Sequence, residues 1–519
     1  MDYGALSLLP PLVAIVLAVA YRQVIIPLLL AILCGSAILQ GFSDGPIRFV
    51  TGTLSRFVLE IGTSVTGYDH LRALAFSLLL GGMVGVLEIG GGMVKLVEQM
   101  SRKVRSRRGA QTLIATLGLG IFFDDYANTL LVGGTMRTTA DKYGISRAKL
   151  AYLVDTTSAP VAGLSPISTW VVTEISYVAA GLTAASVLDV SPFALLVASI
   201  PFRFYPILAL VMVFAIAISD RDFGPMRNQL PNPQQPTNTP EPQSATKRKT
   251  NLGWAAIIPI IGCVGGVLAS LFVSGSQANA IESPHWLKHL GNILSSGDSY
   301  GALIHGGGLG LILAIALHRM LDGPSTTRLL HGALSGAAQM LPAMMILWLA
   351  WALSAQTDSG QLNTGGFIAS LLSERVSPML LPTCVFLISA GVAFSTGTSW
   401  GTMAILTPIA MHLGITVAGG DPYQPIAIAT LGSVLAGAIF GDHCSPISDT
   451  TVLSSRASGC DHITHVRTQM PYAISVGAIS IALGSIPVTF GLSPYLCLAA
   501  GSVAVIGLVM LLGKTPATD

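Results

Sequence analysis

Apolar runs long enough to cross a lipid bilayer follow one another along nearly the whole of this 519-residue chain. Only 10% of the residues are charged, against about a quarter in an average soluble domain, so a soluble fold of this length could not cover its surface. We therefore predict an all-helical polytopic membrane protein. The runs lie at residues 5–20, 24–40, 73–94, 110–136, 148–181, 190–218, 253–274, 301–320, 331–353, 378–394, 399–414, 424–441, 468–490 and 493–513.

One polar tract interrupts this pattern and divides the chain into two halves. Residues 220–251 include PNPQQPTNTPEPQSATKRKTN, whose composition is typical of a segment that forms no packed core. The basic triplet KRK at its end indicates a cytoplasmic position under the positive-inside rule. We predict an N-terminal transmembrane half at residues 1–219, a cytoplasmic linker at 220–251 and a C-terminal transmembrane half at 252–519.

The distribution of basic residues indicates a re-entrant hairpin in the first half. The loop at residues 102–108 is densely basic and is predicted to be cytoplasmic, which places the N-terminus outside. The loop at residues 137–149 is basic as well, although a single crossing by the run 110–136 would place it outside. A hairpin with its polar tip near residues 124–129 keeps both loops inside, whereas a single span would violate the rule.

The two halves contain similar short motifs in the same order. DDYANT, GIS at 144–146 and SPIS at 165–168 follow one another in the first half, and the second half has STGTSWGT at 395–402, GIT at 414–416 and SPIS at 445–448. The loop after the second hairpin lacks Lys and Arg, so it can lie outside. This pattern predicts inverted-topology repeats, each with a re-entrant hairpin and a broken helix. Chance similarity of short strings is the alternative.

Acidic residues at predicted bilayer depth are the strongest indication of a functional site. A charged side chain there costs at least ~2.5 kcal/mol on insertion scales, and no Lys or Arg at predicted bilayer depth stands near these acids in the sequence. A bound cation or a proton would balance their charge. The acids are Asp124, Asp125, Asp155, Asp442 and Asp449, and we predict Asp155, Asp442 and Asp449 as Na⁺ ligands.

Neutral oxygen atoms are predicted to complete this site. A proline inside a membrane helix frees carbonyl groups, and the C-terminal ends of half-helices attract cations. A structural kink at each proline is the alternative interpretation. His443 is a candidate pH-sensing group or a hydrogen-bonding spacer. The further candidate ligands are Asn128, Thr156, Ser165, Ser168, Thr169, Thr396, Thr398, Ser399, Ser445, Ser448, Thr450 and Thr451.

Several long motifs resemble the NhaC-type Na⁺/H⁺ antiporter family. They are IFFDDYANTLLVGG, SRAKLAYLVDTTSAPVAGLSPISTW, FSTGTSWGTMAILTPIA, FGDHCSPISDTTVLSS and THVRTQMPYA, between about residues 80 and 475. The resemblance implies inverted repeats with hairpins and interrupted helices, similar to the ion transporter superfamily fold, and coupling to sodium or protons. Some relatives in this family exchange malate and lactate, and others carry amino acids, so the resemblance leaves the substrate open.

From these features we predict a secondary transporter of the cytoplasmic membrane that exchanges Na⁺ for H⁺ by alternating access. It would contact membrane lipid and the two ions, use no cofactor, bind no nucleic acid and have no enzymatic activity. A carrier of small carboxylates or amino acids coupled to Na⁺ or H⁺ is the alternative, and a gated channel is a third. Basic residues cluster in the loops and none is evident in the core, which favours inorganic ions over an organic anion. The oligomeric state stays open, a homodimer included.

Overall fold

The computed structural model describes most of the two predicted membrane halves. The described residues are 3–21, 23–42, 45–102, 104–230, 253–278, 293, 294, 296–321, 324–358, 360–364, 367 and 377–515. The larger part of the predicted linker therefore lies outside the described residues.

Helices form the regular structure of the described residues, apart from an isolated antiparallel bridge between Asp222 and Lys514. Short 3₁₀ turns and a π-helical turn at Ile481–Ser485 accompany them. The α-helices are α1 (Leu9–Tyr21), α2 (Ile25–Gln40), α3 (Pro46–Ser64), α4 (Tyr68–Gly90), α5 (Gly92–Ser101), α6 (Arg107–Gly120), α7 (Asp125–Lys142), α8 (Arg147–Thr156), α9 (Ala159–Leu164), α10 (Thr169–Ala184), α11 (Pro192–Ser199), α12 (Phe204–Ser219), α13 (Trp254–Gln277), α14 (Ser299–Met320), α15 (Thr326–Gln339), α16 (Leu341–Thr357), α17 (Leu381–Thr396), α18 (Ser399–Val417), α19 (Pro425–Cys444), α20 (Asp449–Ser458), α21 (His462–Ser480), α22 (Ile486–Thr489) and α23 (Pro494–Leu512).

Many of these helices suit a bilayer. The described residues contain nine helical segments long and apolar enough to cross it, or ten if α11 and α12, which are bent by 50°, form one span. In α23 only 22% of the apolar stretch is buried, whereas 83% is buried in α18 and in α19. Thus α23 presents its apolar surface to lipid, and α18 and α19 lie at the centre of the protein. The prediction of an all-helical polytopic membrane protein is confirmed.

Both SPIS sequences lie between two helices. Residues 165–168 separate α9 from α10, and residues 445–448 separate α19 from α20. Each preceding helix ends two residues before the proline, because proline has no N–H group and its ring clashes with the preceding turn. The last serine of each motif, Ser168 or Ser448, caps the next helix by accepting a backbone N–H at 3.2 Å.

Each predicted hairpin tip also joins two helices. Residues 121–124 connect α6 to α7, and Gly397 and Thr398 connect α17 to α18. The cap of α7 is Asp124, whose Oδ1 accepts the N–H of Ala127 at 2.7 Å. Most of the predicted first tip, residues 124–129, therefore forms the first turn of α7.

Three regions differ from the sequence-based segmentation. Helix α3 occupies a stretch without a long apolar run, because its apolar residues are spread along an amphipathic helix. The run 148–181 is divided into α8, α9 and α10. Residues 220–230, assigned to the linker, contain a short 3₁₀ helix that packs against α21, and Asp222 in this stretch is buried.

Candidate functional site

The hairpin tip and the broken helix of each half are joined by a backbone hydrogen bond. The N–H of Thr169 donates to Phe123 O at 2.9 Å, and the N–H of Asp449 donates to Gly397 O at 3.3 Å. Gly397 has φ +69°, and a Cβ atom there would lie 2.5 Å from Ile447 O, so only glycine lets the second tip approach so closely. The two bonds are equivalent and agree with a repeat, whose inverted relation stays a prediction.

The halves also contact each other across the centre. Helix α7 of the first hairpin packs against α20, and α18 of the second hairpin packs against α10. Each hairpin thus contacts the broken helix of its own half through its tip and that of the other half through its second arm. Polar residues from four separate parts of the sequence consequently lie in one region.

The first turn of α20 connects three of the five predicted acids. Asp449 Oδ2 accepts the hydroxyl of Tyr126 at 2.6 Å. The hydroxyl of Thr450 donates to Asp442 Oδ2 at 3.3 Å, and that of the next residue, Thr451, donates to Asp155 Oδ2 at 3.0 Å. Consecutive residues of one helix therefore contact α7, α19 and α8.

Asp155 and Asp442 are buried and have further polar partners. Asp442 Oδ2 also accepts the hydroxyl of Ser399 at 2.9 Å. Asp155 Oδ2 accepts the amide of Gln469 at 2.6 Å, and His465 Nε2 lies 4.0 Å away. The other oxygen of each carboxylate has no hydrogen-bond partner among the described residues.

Two residues beside Asp155, Gln469 and His465 of α21, are absent from the predicted set. The available signal was the motif THVRTQMPYA, which contains both α21 residues and carries part of the family resemblance. It gave no indication of which acid they approach.

The acids of the first hairpin occupy the start of α7. Both carboxylate oxygens of Asp125 are buried without a hydrogen-bond partner in the described part of the chain. Asn128 donates its amide to Gly118 O at 2.7 Å and to Thr157 O at 2.9 Å, so it fastens α7 to α6 and to the end of α8. The structure therefore gives Asn128 a role in holding the backbone together.

Most of the predicted hydroxyl ligands contact backbone groups. Ser165, Ser168, Ser445 and Thr396 donate to carbonyl groups, and Thr398 caps α18. Ser448 caps α20 and lies 3.0 Å from the Thr450 hydroxyl. The hydroxyls of Thr156 and Thr169 are buried and have no partner among the described residues.

The carbonyl groups freed at the breaks are largely occupied. Ala162 O accepts the hydroxyl of Ser168 at 2.7 Å, Gly163 O accepts the guanidinium of Arg203, and His443 O accepts the amide of Gln469 at 3.0 Å. Side chains of the protein therefore already bond these three carbonyls, and their predicted attraction for a cation stays a prediction. The protein satisfies them because no bulk water is available at this depth.

A buried ion pair lies beside the first break and corrects the expectation of a core without basic residues. Arg203, at the bend between α11 and α12, is 2% exposed and lies 3.0 Å from Glu174 of α10. Lys149 is also buried, and its Nζ lies 2.8 Å from Asp222. Because the core contains basic residues, the argument that favoured inorganic ions over an organic anion no longer applies.

His443 is fully buried rather than part of a polar loop. Its Nδ1 lies 2.9 Å from the hydroxyl of Tyr205. The two side chains border a cavity of about 10 Å³ together with Thr156, Gln469 and Tyr472, a volume near the lower limit for one water molecule. The structure thus gives His443 a hydrogen-bonding partner, and its predicted pH-sensing role stays a prediction.

Two arginines of the first half hold the far end of α20. Arg137 donates to Arg456 O and Ala457 O at 2.5 Å, and Arg147 donates to Ser458 O at 3.0 Å. These carbonyls are among the last of α20, where cations interact favourably with the helix dipole. The basic loop of residues 137–149 is therefore part of the packing between the halves.

The predicted Na⁺ ligands do not form a compact acidic cluster. No group of three His, Cys, Asp or Glu side chains in the described residues is arranged to hold a metal ion. Asp155, Asp442 and Asp449 are instead linked through Thr450, Thr451 and the backbone of α20. Their common role in binding Na⁺ stays a prediction.

A polytopic helical fold with carboxylates where four helix ends meet is typical of a membrane transport protein. The chain belongs to the Na⁺/H⁺ antiporter family, whose sequence profile matches residues 161–486, and it is therefore a secondary transporter. The predicted family membership and the absence of an enzymatic function are thereby confirmed.

Comparisons with individual proteins agree with this assignment. An uncharacterized protein of Haemophilus influenzae is 33% identical over 517 residues, which cover 98% of this chain and 95% of that protein. The arginine/ornithine antiporter ArcD of Halobacterium salinarum is 35% identical over 163 residues, 31% of this chain and 32% of that protein. The YdaH transporter of Alcanivorax borkumensis has a similar structure, with a TM-score of 0.57, 13% identity and coverage of 96% of this chain and 100% of that chain. At this identity the structural likeness shows the fold alone.

Proposed function

We propose that this protein exchanges Na⁺ for H⁺ across the cytoplasmic membrane by alternating access. The supporting observation concerns the five predicted acids, Asp124, Asp125, Asp155, Asp442 and Asp449. None of them forms an ion pair with Lys or Arg in the described part of the chain. Their hydrogen-bond partners are hydroxyl, amide and backbone N–H groups. A transported cation or proton would balance their charge, and hard oxygen ligands suit Na⁺.

Helix ends distinguish two groups among these carboxylates. Asp155 and Asp442 lie in the last turns of α8 and α19, where the helix dipole is negative and favours a cation. Asp125 and Asp449 lie in first turns, where the dipole favours the carboxylate itself. Asp155 and Asp442 therefore hold the transported ion in our proposal, and the exposed Asp449 receives it from solution.

Competition for the same carboxylates then couples the two ions. When Na⁺ leaves Asp155 and Asp442, a proton takes its place. The protonated site then becomes accessible from the first side of the membrane again without carrying Na⁺. Because the buried carboxylates cannot remain charged and empty at low energetic cost, the exchange of one ion for the other is favoured over uncoupled leakage.

The direct test is the response of a proton gradient to added cations. Everted vesicles from a host without its own antiporters are acidified inside, and Na⁺, Li⁺ or K⁺ is added while a pH-sensitive dye is followed. We expect Na⁺ to dissipate the gradient with the wild-type protein and with Asp189→Asn, an exposed control. At the Na⁺ concentration that half-saturates the wild type, Asp155→Asn and Asp442→Asn should give no detectable response. Unchanged exchange in the triple variant at Asp155, Asp442 and Asp449 would contradict the proposal.

Exchange of an organic solute is the second candidate function. It is favoured by a cavity of about 580 Å³ at the opposite end of α4 from α5, a volume far larger than a metal ion requires. ArcD of Halobacterium salinarum is named as an antiporter of amino acids. Proteoliposomes loaded with arginine, malate or lactate distinguish the candidates, because labelled solute enters by counterflow only if that solute is carried.

A further inference from the structure

The segment that follows α12 packs against the side of the protein that is predicted to be cytoplasmic. We call residues 220–228 the strap, which ends in the short 3₁₀ helix Gly224–Asn228 on α21. Asp220 Oδ1 lies 3.1 Å from Nε of Arg107, a residue of the basic loop at 102–108. Because that loop is predicted to be cytoplasmic, we place the strap on the cytoplasmic side.

Asp222 is the residue of the strap that makes the most polar contacts. It is 2% exposed, and its Oδ2 lies 2.8 Å from Nζ of Lys149 in the first turn of α8. Its Oδ1 accepts the hydroxyl of Tyr472 of α21 at 3.0 Å. Its backbone N–H and C=O both pair with Lys514, which follows α23, at 3.0 Å. One buried residue thus joins α8, α21 and the segment after α23.

Aromatic rings enclose Tyr472 from two elements. Phe223 of the strap packs edge-on against the Tyr472 ring, with centroids 4.5 Å apart. Tyr152 of α8 lies against the same ring, with centroids 4.8 Å apart. All three rings are buried. The strap therefore covers a plug of two tyrosine rings between α8 and α21.

A small cavity lies between these tyrosine rings and the ion site. Lys149, Tyr152 and Thr156 are spaced i, i+3 and i+7, so they share one face of α8. The two tyrosine rings border a cavity of about 10 Å³ together with Thr156 and Gln469. Gln469 in turn donates to Asp155 Oδ2 at 2.6 Å. The order from the predicted cytoplasmic end of α8 is therefore ion pair, tyrosine rings, cavity and Asp155.

The backbone of the strap turns at two points. Asp220, which ends α12, has φ +54°, and Gly224 has φ +61°, so both adopt the left-handed conformation. Hinges of moving segments are usually such positions at the ends of elements. Rotation at these two points would withdraw Asp222 and Phe223 from Tyr472.

We propose that the strap is the inner gate of the ion site. While Asp222 holds Lys149 and Tyr472 together, the tyrosine rings block the path between α8 and α21, and release of Asp222 opens Asp155 to the cytoplasm. The gate rests on the alternating access proposed above, in which each side of the site must be closed in turn. Asp222 acts here by closing a path and does not bind the transported ion.

A disulfide that fixes the strap to α21 tests the gate. A Cβ atom on Gly224 would lie 3.6 Å from Cβ of Pro471, and a disulfide requires about 3.5–4.5 Å. We expect oxidation of the double variant Gly224→Cys, Pro471→Cys in everted vesicles to slow Na⁺-dependent dequenching at least about tenfold, and reduction to reverse this. The left-handed backbone at Gly224 disfavours any side chain, so the reduced double variant is the reference. Each single variant, oxidised in the same way, controls for the native cysteines.

A thiol in the cavity measures opening without a transport assay. Ala473 of α21 borders the cavity and is buried, so Ala473→Cys places a reporter there. A charged, membrane-impermeant methanethiosulfonate is added to everted vesicles, and mass spectrometry of the peptide follows the modification of position 473. Tyr472→Phe keeps the ring but removes its hydrogen bond to Asp222, so modification should be about tenfold faster. Tyr495→Phe, at an exposed ring, should leave the rate unchanged.

The two experiments separate the gate from the proposed exchange. Equal exchange by the oxidised and the reduced double variant, with the disulfide verified by mass spectrometry, would overturn the gate. Equal modification of position 473 with and without Tyr472→Phe would overturn it as well. Absence of Na⁺ exchange in the wild type would contradict the proposed function instead, and the modification rates would then decide on the gate alone.

Discussion

At the first helix break the protein supplies its own cation, Arg203. The carboxylates at the second break have no Lys or Arg partner among the described residues. Arg203 donates to Gly163 O at the end of α9 and pairs with Glu174, both within the buried core. At the end of α19 the corresponding region contains Asp442 and then Asp449, whose partners are hydroxyl and backbone N–H groups. The backbone arrangement is shared, and the electrostatics are opposite.

This difference shows that the backbone geometry of a helix break does not determine which charged groups lie beside it. A proline break alone does not create a cation site, because the protein can satisfy the freed carbonyls with its own side chains, as it does at residues 165–168. What marks the second break is a set of carboxylates without a Lys or Arg partner among the described residues. A repeat can therefore duplicate the backbone of a helix break without duplicating the charges beside it.

The largest expected effect tests the fixed cation of the first break. Arg203→Met leaves Glu174 charged, buried and unpaired, so we expect a loss of about 3–5 kcal/mol of stability. The measurement is thermal unfolding in detergent followed by size-exclusion chromatography. The double variant Arg203→Met, Glu174→Gln should recover most of this loss. Wild-type stability of the single variant would show that the pair does not hold the first break.

The second prediction removes a carboxylate from the other break. Asp442→Asn retains the shape of the side chain and its hydroxyl partners, so the unfolding temperature should change by a few degrees at most. Loss of a full charge close to a bound cation should raise the Na⁺ concentration for half-maximal exchange at least about a hundredfold. Dye dequenching over a Na⁺ series measures this shift, and Asp421→Asn in an exposed loop is the control.

The third prediction concerns a neutral ligand at the same break. Thr450→Val removes the hydroxyl 3.3 Å from Asp442 while Ser399 remains in place. We expect the Na⁺ concentration for half-maximal exchange to rise about tenfold, which is the usual effect of losing one hydrogen bond to a charged group. Thr173→Val is the matched control in the first half, because its hydroxyl donates to the carbonyl of Trp170 in its own helix. Equal effects of both variants would contradict the contrast between the breaks.

The smallest expected effect is at the cap of the first break. Ser168→Ala removes the side chain that caps α10 and donates to Ala162 O, so stability should fall by about 1 kcal/mol. The Na⁺ dependence of exchange should stay as in the wild type. Ser168→Asn retains a capping group and should restore stability. A large shift in Na⁺ dependence with Ser168→Ala would instead place this hydroxyl near the ion.

Local rules were sufficient to locate the helix breaks in the sequence. Proline interrupts a helix wherever it stands in the interior, and a polar tip such as DDYAN is costly at bilayer depth unless it lies at a protected turn. Both effects depend on residues that are close together in the chain. The repeated order of the motifs then indicated that two such arrangements exist.

The partners of the carboxylates could not be predicted in this way. Gln469 approaches Asp155 across 314 residues, and Tyr126 approaches Asp449 across 323 residues. Such contacts depend on how α7, α20 and α21 pack, which no local pattern specifies. Arg203 did leave a local signal, since it is a lone basic residue inside the run 190–218, but its burial and its pairing with Glu174 depend on the bend after α11.

Arg137 and Arg147 also constrain the mechanics of transport. By binding the last carbonyls of α20, they tie α7 and the start of α8 to a helix of the other half. The two halves are therefore interlaced, and these hydrogen bonds oppose their separation as two rigid bodies. In the alternating access that we propose, the motion that exposes the site to the other side of the membrane therefore displaces α7 and α20 together. In such a motion α7 and α20 slide or rotate as a pair against the neighbouring helices that Arg137 and Arg147 do not bind.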